Sequence, residues 1–283
     1  MSLYSFLSLS VFHICLFSGA YVLFMASESK THRMFFLLAL LAGAWNLFSA
    51  ILYSMRSQEA IWLWFRIAAP FGILFVAMIL PFVLVLTGTR TPWWIFAVLL
   101  LPAALMWWQN WAGTFMFDSI AYRNGTLVFH PAGDSPWMYV WLAYSHTLTL
   151  VALVILYRWM KTAPSRRLRH QALMIFLSLL LYAVLASSSD YLFAHRLKLG
   201  SVSPMLFVIF LIGSAYAIVR YRLFSITHRA VSGDIVGSMD MMVVMLDHDL
   251  CIVKVNPRAE SITGMSEREL LSQSVTKLTG TDS

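Results

Sequence analysis

Residues 67–89 read IAAPFGILFVAMILPFVLVLTGT, a run without a charged side chain that is long enough to cross a lipid bilayer as a helix. Crossing the hydrocarbon core of ~30 Å takes about 20 predominantly apolar residues. Six similar runs lie at 1–27, 34–55, 91–117, 135–157, 171–189 and 199–219. Because the backbone inside lipid must satisfy its own hydrogen bonds, these runs predict an all-α membrane protein with a bundle of seven transmembrane helices.

Composition and charge agree with this class. The chain is 60% hydrophobic and 12% charged, whereas soluble domains carry about 25% charged residues. The net charge of +7 would suit a nucleic-acid partner on a soluble surface, but the predicted outer loops hold only Arg56, Arg123, Arg196 and Lys198. Most of the other Lys and Arg lie in the opposite loops and the tail, which marks that side as cytoplasmic. The pattern therefore predicts an N-out, C-in orientation, with anionic lipid headgroups and not nucleic acid near the basic run 166–169.

Polar residues in the outer half of the predicted helices, and in the loop above them, are the candidates for a ligand site. Ionisable groups at membrane depth are costly unless they face a partner or a wet cavity. Their shared depth predicts an outward-opening pocket for a small or amphipathic ligand, lined by His13, Asn46, Arg66, His130, Trp141, His146, Ser189 and Asp190. A simpler interpretation stays open, in which Arg66 reaches the headgroups, Asp190 lies in interfacial water and each histidine packs as a neutral ring.

The long loop between the fourth and fifth helices, at 112–136, is expected to be partly ordered. Asn124-Gly125 is a good turn pair, and the apolar residues around it predict a small hairpin between 122–126 and 127–130. A lid over the bundle and a passive cap are equally compatible with this pattern.

The segment after the seventh helix reads as a linker followed by a small α+β unit. We expect a seven-helix sensor domain at 1–222, a signalling helix at 223–240 and a partial domain at 241–283. An apolar stripe on the linker would pair with a second copy. The residues expected to relay a signal are Tyr221, Arg222, Phe224, Val231 and Ile235.

Two predicted strands, at 242–247 and 251–256, are followed by an Asn-Pro pair and a short helix ending at a glycine. Asp247, Asn256, Pro257 and Gly264 stand at positions that resemble the opening of a PAS domain. The resemblance covers only the first half of that fold, and a hairpin with two helices cannot bury a full core. We therefore expect the chain to be a piece of a longer protein. Partial disorder and completion by another chain are the alternatives.

Short motifs within the predicted helices and at their ends carry a second resemblance. They are Phe129-His130-Pro131, Ala143-Tyr144-Ser145, Arg169-His170-Gln171, Ser203-Pro204 and Tyr221-Arg222-Leu223-Phe224. Together they resemble the N-terminal seven-transmembrane region of bacterial sensor histidine kinases, of the two-component type. The resemblance implies a multi-pass protein of the bacterial inner membrane that forms a homodimer and signals to a cytoplasmic kinase or other output domain.

The phosphoacceptor helix and ATP-binding domain of that family are not in these residues, so the resemblance does not carry kinase activity to this chain. No metal-ligand spacing, nucleophile motif or phosphate-binding loop is present either, so neither a catalytic residue, a metal nor a cofactor is expected. A retinal pigment, which needs a lysine in its seventh helix, is disfavoured because 199–219 contains none. A sensor input module is the favoured function, with a non-catalytic membrane anchor for a signalling partner as the alternative and a transporter third.

Overall fold

The computed structural model describes residues 2–89, 92–113, 117–123, 126–131, 135–191, 202–222, 240–247, 250–271 and 273–275. The chain forms two compact units, Met1–Arg222 and Leu223–Ser283. The first is a helical bundle with a hairpin between two of its helices, and the second contains a two-stranded sheet and two short helices.

Seven helices of the first unit are long and apolar enough to cross a membrane, which confirms the predicted seven-helix fold. They are α1 (Leu3–Met25), α2 (Lys30–Leu52), α3 (Gln58–Leu86), α4 (Trp93–Ala112), α5 (Pro136–Thr162), α6 (Arg166–Tyr191) and α7 (Ser203–Arg222). Several extend beyond their uncharged runs. Thus α3 begins at Gln58, well before residue 67, and α6 begins at Arg166, before residue 171. Helix ends lie at the level of the lipid headgroups, where charged side chains are tolerated, so a search for uncharged runs shortens them.

Helix α3 lies at the centre of the bundle. Of its most apolar window 72% is buried, against 17% for the windows of α4 and α5. Helix α3 contacts α2, α4 and α5, whereas α7 contacts α1, α2 and α6. The ring of Phe75 in α3 stacks on Phe207 in α7 with centroids 4.2 Å apart, and Tyr182 of α6 meets Phe207 edge-on at 5.3 Å. This aromatic cluster joins the central helix to α6 and α7.

Small residues bring two helix pairs into close contact. A Cβ atom added to Gly213 of α7 would lie 2.3 Å from the Cβ of Ser178 in α6, and one added to Gly19 of α1 would lie 2.7 Å from Ala39 of α2. Such close backbone approach is how membrane helices gain packing contacts without a hydrophobic driving force between them. The pairs α1–α2 and α6–α7 are therefore the most closely joined parts of the bundle.

The loop between α4 and α5 contains a hairpin, as predicted, formed by β1 (Phe117–Arg123) and β2 (Thr126–Pro131) as an antiparallel pair. Its bounds differ from the prediction, because β1 begins five residues before residue 122 and Thr126 belongs to β2. The turn pair Asn124-Gly125 lies outside the described residues. Ile120 and Leu127 are buried and belong to the core of the bundle, and Phe117 meets Phe65 of α3 edge-on at 5.7 Å. The hairpin therefore packs onto the end of the bundle where α3 begins.

The second unit has the predicted order of strands and helices: β3 (Val244–Leu246), β4 (Ile252–Val255), α8 (Pro257–Thr263) and α9 (Glu267–Leu270). The strands pair antiparallel. Its buried apolar core consists of Ile252, Val255, Ala259 and Leu270. A sheet of this size with so small a core gives the unit little hydrophobic stabilisation of its own.

Candidate functional site

Two side chains hold the beginning of α7 to neighbouring helices. The fully buried Asn46 of α2 donates from Nδ2 to the Pro204 carbonyl in the first turn of α7, at 2.9 Å, and to its own helix at Ala42, also 2.9 Å. From the last turn of α6, Ser189 accepts a hydrogen bond on Oγ from the Val202 N–H, at 3.3 Å. The first N–H groups of a helix lack partners within it, so Ser189 satisfies one that would otherwise be unpaired. We call the Asn46–Pro204 and Ser189–Val202 contacts the α7 clamp.

One polar atom of the clamp lacks a hydrogen bond within the described part of the chain. The Oδ1 atom of Asn46 is buried and makes no hydrogen bond with any described residue. A buried amide oxygen without a partner costs free energy, of the order of 1–3 kcal/mol. The clamp is therefore a site where a hydrogen-bond donor, brought by a ligand or by a shift of the helices, would gain a partner that the structure leaves unused.

A second polar contact joins α5 to α6 near the same end of the bundle. His146 Nδ1 lies 2.8 Å from the Leu142 carbonyl, and its Nε2 lies 3.3 Å from the Ser187 hydroxyl. Because a carbonyl oxygen can only accept, Nδ1 donates to Leu142, which leaves Nε2 to bond the serine hydroxyl. Both side chains lie on the exposed surface of the bundle. The last turns of α6 thus carry polar contacts to both α5 and α7.

A row of serines joins α1 to α2 at this end as well. Ser5 Oγ donates to the Ala50 carbonyl at 2.8 Å and lies 2.9 Å from the Ser54 hydroxyl, and Ser2 donates to the Tyr53 carbonyl at 3.4 Å. Interhelical hydrogen bonds of this kind contribute about 0.6–2 kcal/mol each inside a membrane. Polar contacts therefore join several helices at the end of the bundle that carries the β1–β2 hairpin.

The other predicted ligand residues lie away from the clamp or are not described at the side chain. His13 lies on an exposed face of α1, with Nδ1 2.8 Å from the Leu9 carbonyl and its ring beside Phe12 and Phe17. Arg66 and His130 are half-buried, on α3 and β2. Half-buried Trp141 packs against the α3–α4 core. Asp190 belongs to the last turn of α6, and its side chain lies outside the description. Asn46 and Ser189 are thus the predicted residues that meet at one helix end.

Two contacts to α4 were not anticipated from the sequence. Tyr144 of α5 donates its O–H to the Leu99 carbonyl at 2.7 Å, and Asn110 of α4 donates to the Arg66 carbonyl at 3.1 Å. Both are polar residues within apolar runs. The sequence therefore shows that these two residues are exceptional, but a tyrosine or an asparagine in an apolar run does not indicate which carbonyl group it will bond. They attach α4, which otherwise has little contact with α5.

The four residues on which the expected PAS resemblance rests have structural roles in the second unit. Asp247 Oδ1 accepts from the Cys251 N–H at 2.8 Å. Asn256 caps α8 by accepting from the Ala259 N–H at 3.0 Å, and it also bonds the segment just before β3, at Val243 and Met241. Pro257 follows at the first helical position, and Gly264 ends the helix with a φ of 70°, the left-handed conformation that glycine adopts readily. These residues build the turn, the helix cap and the helix end.

Helix α9 begins with a reciprocal cap. The carboxylate of Glu269 accepts hydrogen bonds from the side chain and the backbone N–H of Ser266, and these bonds lower its pKa. Of the predicted relay residues, Tyr221 and Arg222 form the end of α7. Phe224, Val231 and Ile235 lie outside the described residues.

A known protein family matches the helical bundle. The family described as the N-terminal 7TM region of histidine kinase matches residues 7–227, from within α1 to just past α7. Comparison with curated proteins found no similar sequence. The match covers well over half of the chain and includes the clamp and the His146–Ser187 contact. The chain, a multi-pass membrane protein, therefore belongs to the family of N-terminal seven-transmembrane regions of histidine kinases.

Proposed function

We propose that the chain is the input module of a bacterial two-component receptor, which passes an outside or intramembrane stimulus through α7 to a cytoplasmic PAS-like segment. The observation that carries this proposal is the α7 clamp. Helix α7 is the last helix before the second unit, and Asn46 and Ser189 hold its beginning to two other helices. A change at the clamp therefore acts on the helix that leads out of the bundle. The module works as a homodimer joined to a kinase or other output domain, with 223–240 as the signalling segment and 241–283 as the PAS-like part.

The size of the clamp contacts suits a switch. At about 0.6–2 kcal/mol, one interhelical hydrogen bond changes an equilibrium by about 3- to 30-fold. A stimulus shifts a two-state equilibrium only by as much as it favours one state over the other. A ligand that offers Asn46 a better partner would supply such a difference, because Oδ1 is unpaired within the described chain.

Packing below the clamp determines which parts would move. Gly213 and Ser178 bring α6 and α7 into close contact, so these two helices are expected to shift as a pair. The pair would then slide against the remaining helices, including α3, where Phe207 stacks on Phe75 and Phe210 meets Phe82 edge-on at 6.1 Å. Loss of the Asn46–Pro204 bond releases the α6–α7 pair from α2 at the end bearing the hairpin.

The test joins the full chain to the catalytic core of a bacterial histidine kinase and measures autophosphorylation in membranes. Asn46→Leu and Ser189→Ala each remove one clamp contact, and each is expected to change basal phosphorylation by about 3- to 30-fold. Ser49→Ala is the matched control, because this nearby residue of α2 bonds only the Trp45 carbonyl of its own helix in the described contacts. It is expected to leave phosphorylation unchanged.

Unchanged phosphorylation in both clamp variants, with normal membrane insertion, would contradict a role for the clamp. A kinase that binds the chain tightly yet signals at one fixed level in every variant would favour the membrane-anchor alternative.

A further inference from the structure

The turn between α5 and α6 contains several basic side chains and has no acidic residue near it in the sequence. Arg158 and Lys161 end α5, and Arg166, Arg167 and Arg169 begin α6. The sequence contains no Asp or Glu from residue 135 to residue 189. The side chains of Arg158, Lys161, Arg166 and Arg169 are exposed. This turn is therefore a surface of concentrated positive charge.

Hydrogen bonds fix the shape of the turn. Arg169 donates from Nε to the Ala163 carbonyl at 3.1 Å, which holds its guanidinium across the loop. Ser165 Oγ accepts from the Leu168 N–H at 3.3 Å and caps α6. The Lys161 ammonium lies 5.5 Å from the centre of the Tyr157 ring. Two cations at the turn thus have defined positions before any ligand arrives, which lowers the ordering cost of binding.

Exposed apolar side chains continue along the same two helices toward the middle of the bundle. They are Val154 and Tyr157 on α5 and Leu173 and Leu177 on α6. The ring of Tyr157 lies 6.4 Å from that of Phe176, so the two helices adjoin at this level. A surface with cations at the helix ends and apolar side chains below them matches the two parts of a phospholipid.

The α1–α2 turn provides a contrast at the same end of the bundle. There Arg33 forms an ion pair with Glu28 at 3.0 Å, so an internal carboxylate compensates its charge. The α5–α6 turn has no carboxylate of this kind within the sequence of its two helices up to Ser189. An external anion is the complementary partner.

We propose that the α5–α6 turn binds the headgroup of an acidic phospholipid, with the phosphate against Arg166 and Arg169 and the acyl chains along Val154 and Leu177. The lipid stabilises the position of the α6 N-terminus. Because α6 packs closely on α7 at Ser178 and Gly213, the bound lipid also restrains the α6–α7 pair. This last step rests on the proposed function, whereas the binding itself does not.

Binding is measured on the full chain in lipid nanodiscs that contain equal amounts of phosphatidylglycerol and phosphatidylcholine, as the ratio of the two lipids retained in native mass spectrometry. Arg166→Gln with Arg169→Gln removes two cations from the turn. The preference for phosphatidylglycerol is expected to fall roughly 30-fold, since each basic residue near an anionic surface contributes about 1 kcal/mol and 1.4 kcal/mol is tenfold. Lys30→Gln with Arg33→Gln removes the same charge from the α1–α2 turn and is expected to keep the preference.

The Arg166→Lys, Arg169→Lys pair keeps the charge and separates loss of binding from loss of folding, because it is expected to retain phosphatidylglycerol. Equal losses in the two Gln pairs, or no preference in the unaltered chain, would overturn the proposal. So would displacement of the lipid by inorganic phosphate, which would assign the turn to free anions, or by a DNA duplex, which would mark a general polyanion surface.

The kinase fusion then tests whether lipid binding at the α5–α6 turn affects phosphorylation. Its phosphorylation is expected to depend on phosphatidylglycerol in the unaltered chain and not in the Arg166→Gln, Arg169→Gln pair. Lipid retention without this dependence would overturn the coupling alone and leave the binding site standing. If the clamp variants leave phosphorylation unchanged, the result on lipid retention likewise still stands.

Discussion

At the scale of single residues, the most unusual side chain is Gln171 of α6. It is fully buried, yet neither Nε2 nor Oε1 has a hydrogen-bond partner among the described residues. Burying an amide without hydrogen bonds costs free energy in any apolar surrounding. The sequence gave no indication of this burial, because the search for uncharged runs placed the beginning of the helix at Gln171 itself, directly after the basic residues. In the structure α6 begins earlier, at Arg166, so Gln171 lies inside the helix.

The Gln171→Met variant tests whether the amide is a net cost. Methionine has a similar shape and no group that needs a hydrogen bond, so the variant is expected to be more stable by about 1–3 kcal/mol. The measurement is the thermal unfolding midpoint of the chain in nanodiscs. Gln58→Met is the control, because Gln58 is exposed at the start of α3 and should leave the midpoint unchanged. A lower midpoint for Gln171→Met would mean that the amide makes a contact essential to the bundle.

Single residues also explain how far the candidate site could be predicted. Asn46 and Ser189 were selected because they are polar residues at a shared depth, and the structure places both at the beginning of α7. The partners of both are backbone groups, the Pro204 carbonyl and the Val202 N–H. A sequence does not show which backbone group a side chain will reach, so depth identified the residues but not the clamp. His13 was predicted at the same depth, yet it lies on an exposed face of α1.

At the scale of elements, the helices and their order could be predicted because uncharged length alone identifies a membrane helix. Their packing partners could not. The central position of α3 and the peripheral position of α4 depend on contacts such as Phe75 with Phe207, which no periodicity in the sequence indicates. The hairpin could be located from its turn residues, but its burial against α3 through Phe117 could not.

The contact between α6 and α7 gives a prediction at this scale. Gly213→Ala adds a Cβ that would lie 2.3 Å from the Cβ of Ser178, so one helix must move away from the other. Overpacking of this kind typically costs about 1–3 kcal/mol. The unfolding midpoint in nanodiscs is expected to fall, and the second change Ser178→Gly is expected to restore most of it. If Ser178→Gly gives no rescue, the two residues do not form the close contact between α6 and α7.

At the scale of the whole molecule, the distribution of Lys and Arg predicts how the protein is oriented in the membrane. The turn at 158–170 and the end of α7 are rich in Lys and Arg, whereas the turns at the other end of the bundle hold few. Acidic lipids and the transmembrane potential both favour basic residues on the cytoplasmic side. Orientation also decides what the clamp and the lipid-binding turn can do, because it sets which of them faces outside and which faces the compartment of the second unit.

Cysteine labelling tests the predicted N-out, C-in orientation directly. In a Cys251→Ser background, Cys15 is buried and unreactive, and Ser57→Cys and Thr162→Cys place one exposed thiol at each end of the bundle. A membrane-impermeant maleimide is expected to label Ser57→Cys in intact spheroplasts and Thr162→Cys only after permeabilisation. The reverse pattern would place the basic turn in the outer leaflet and the second unit outside. In that case α7 could not deliver a signal to a cytoplasmic kinase, and the proposed function would fail even if every contact of the clamp were real.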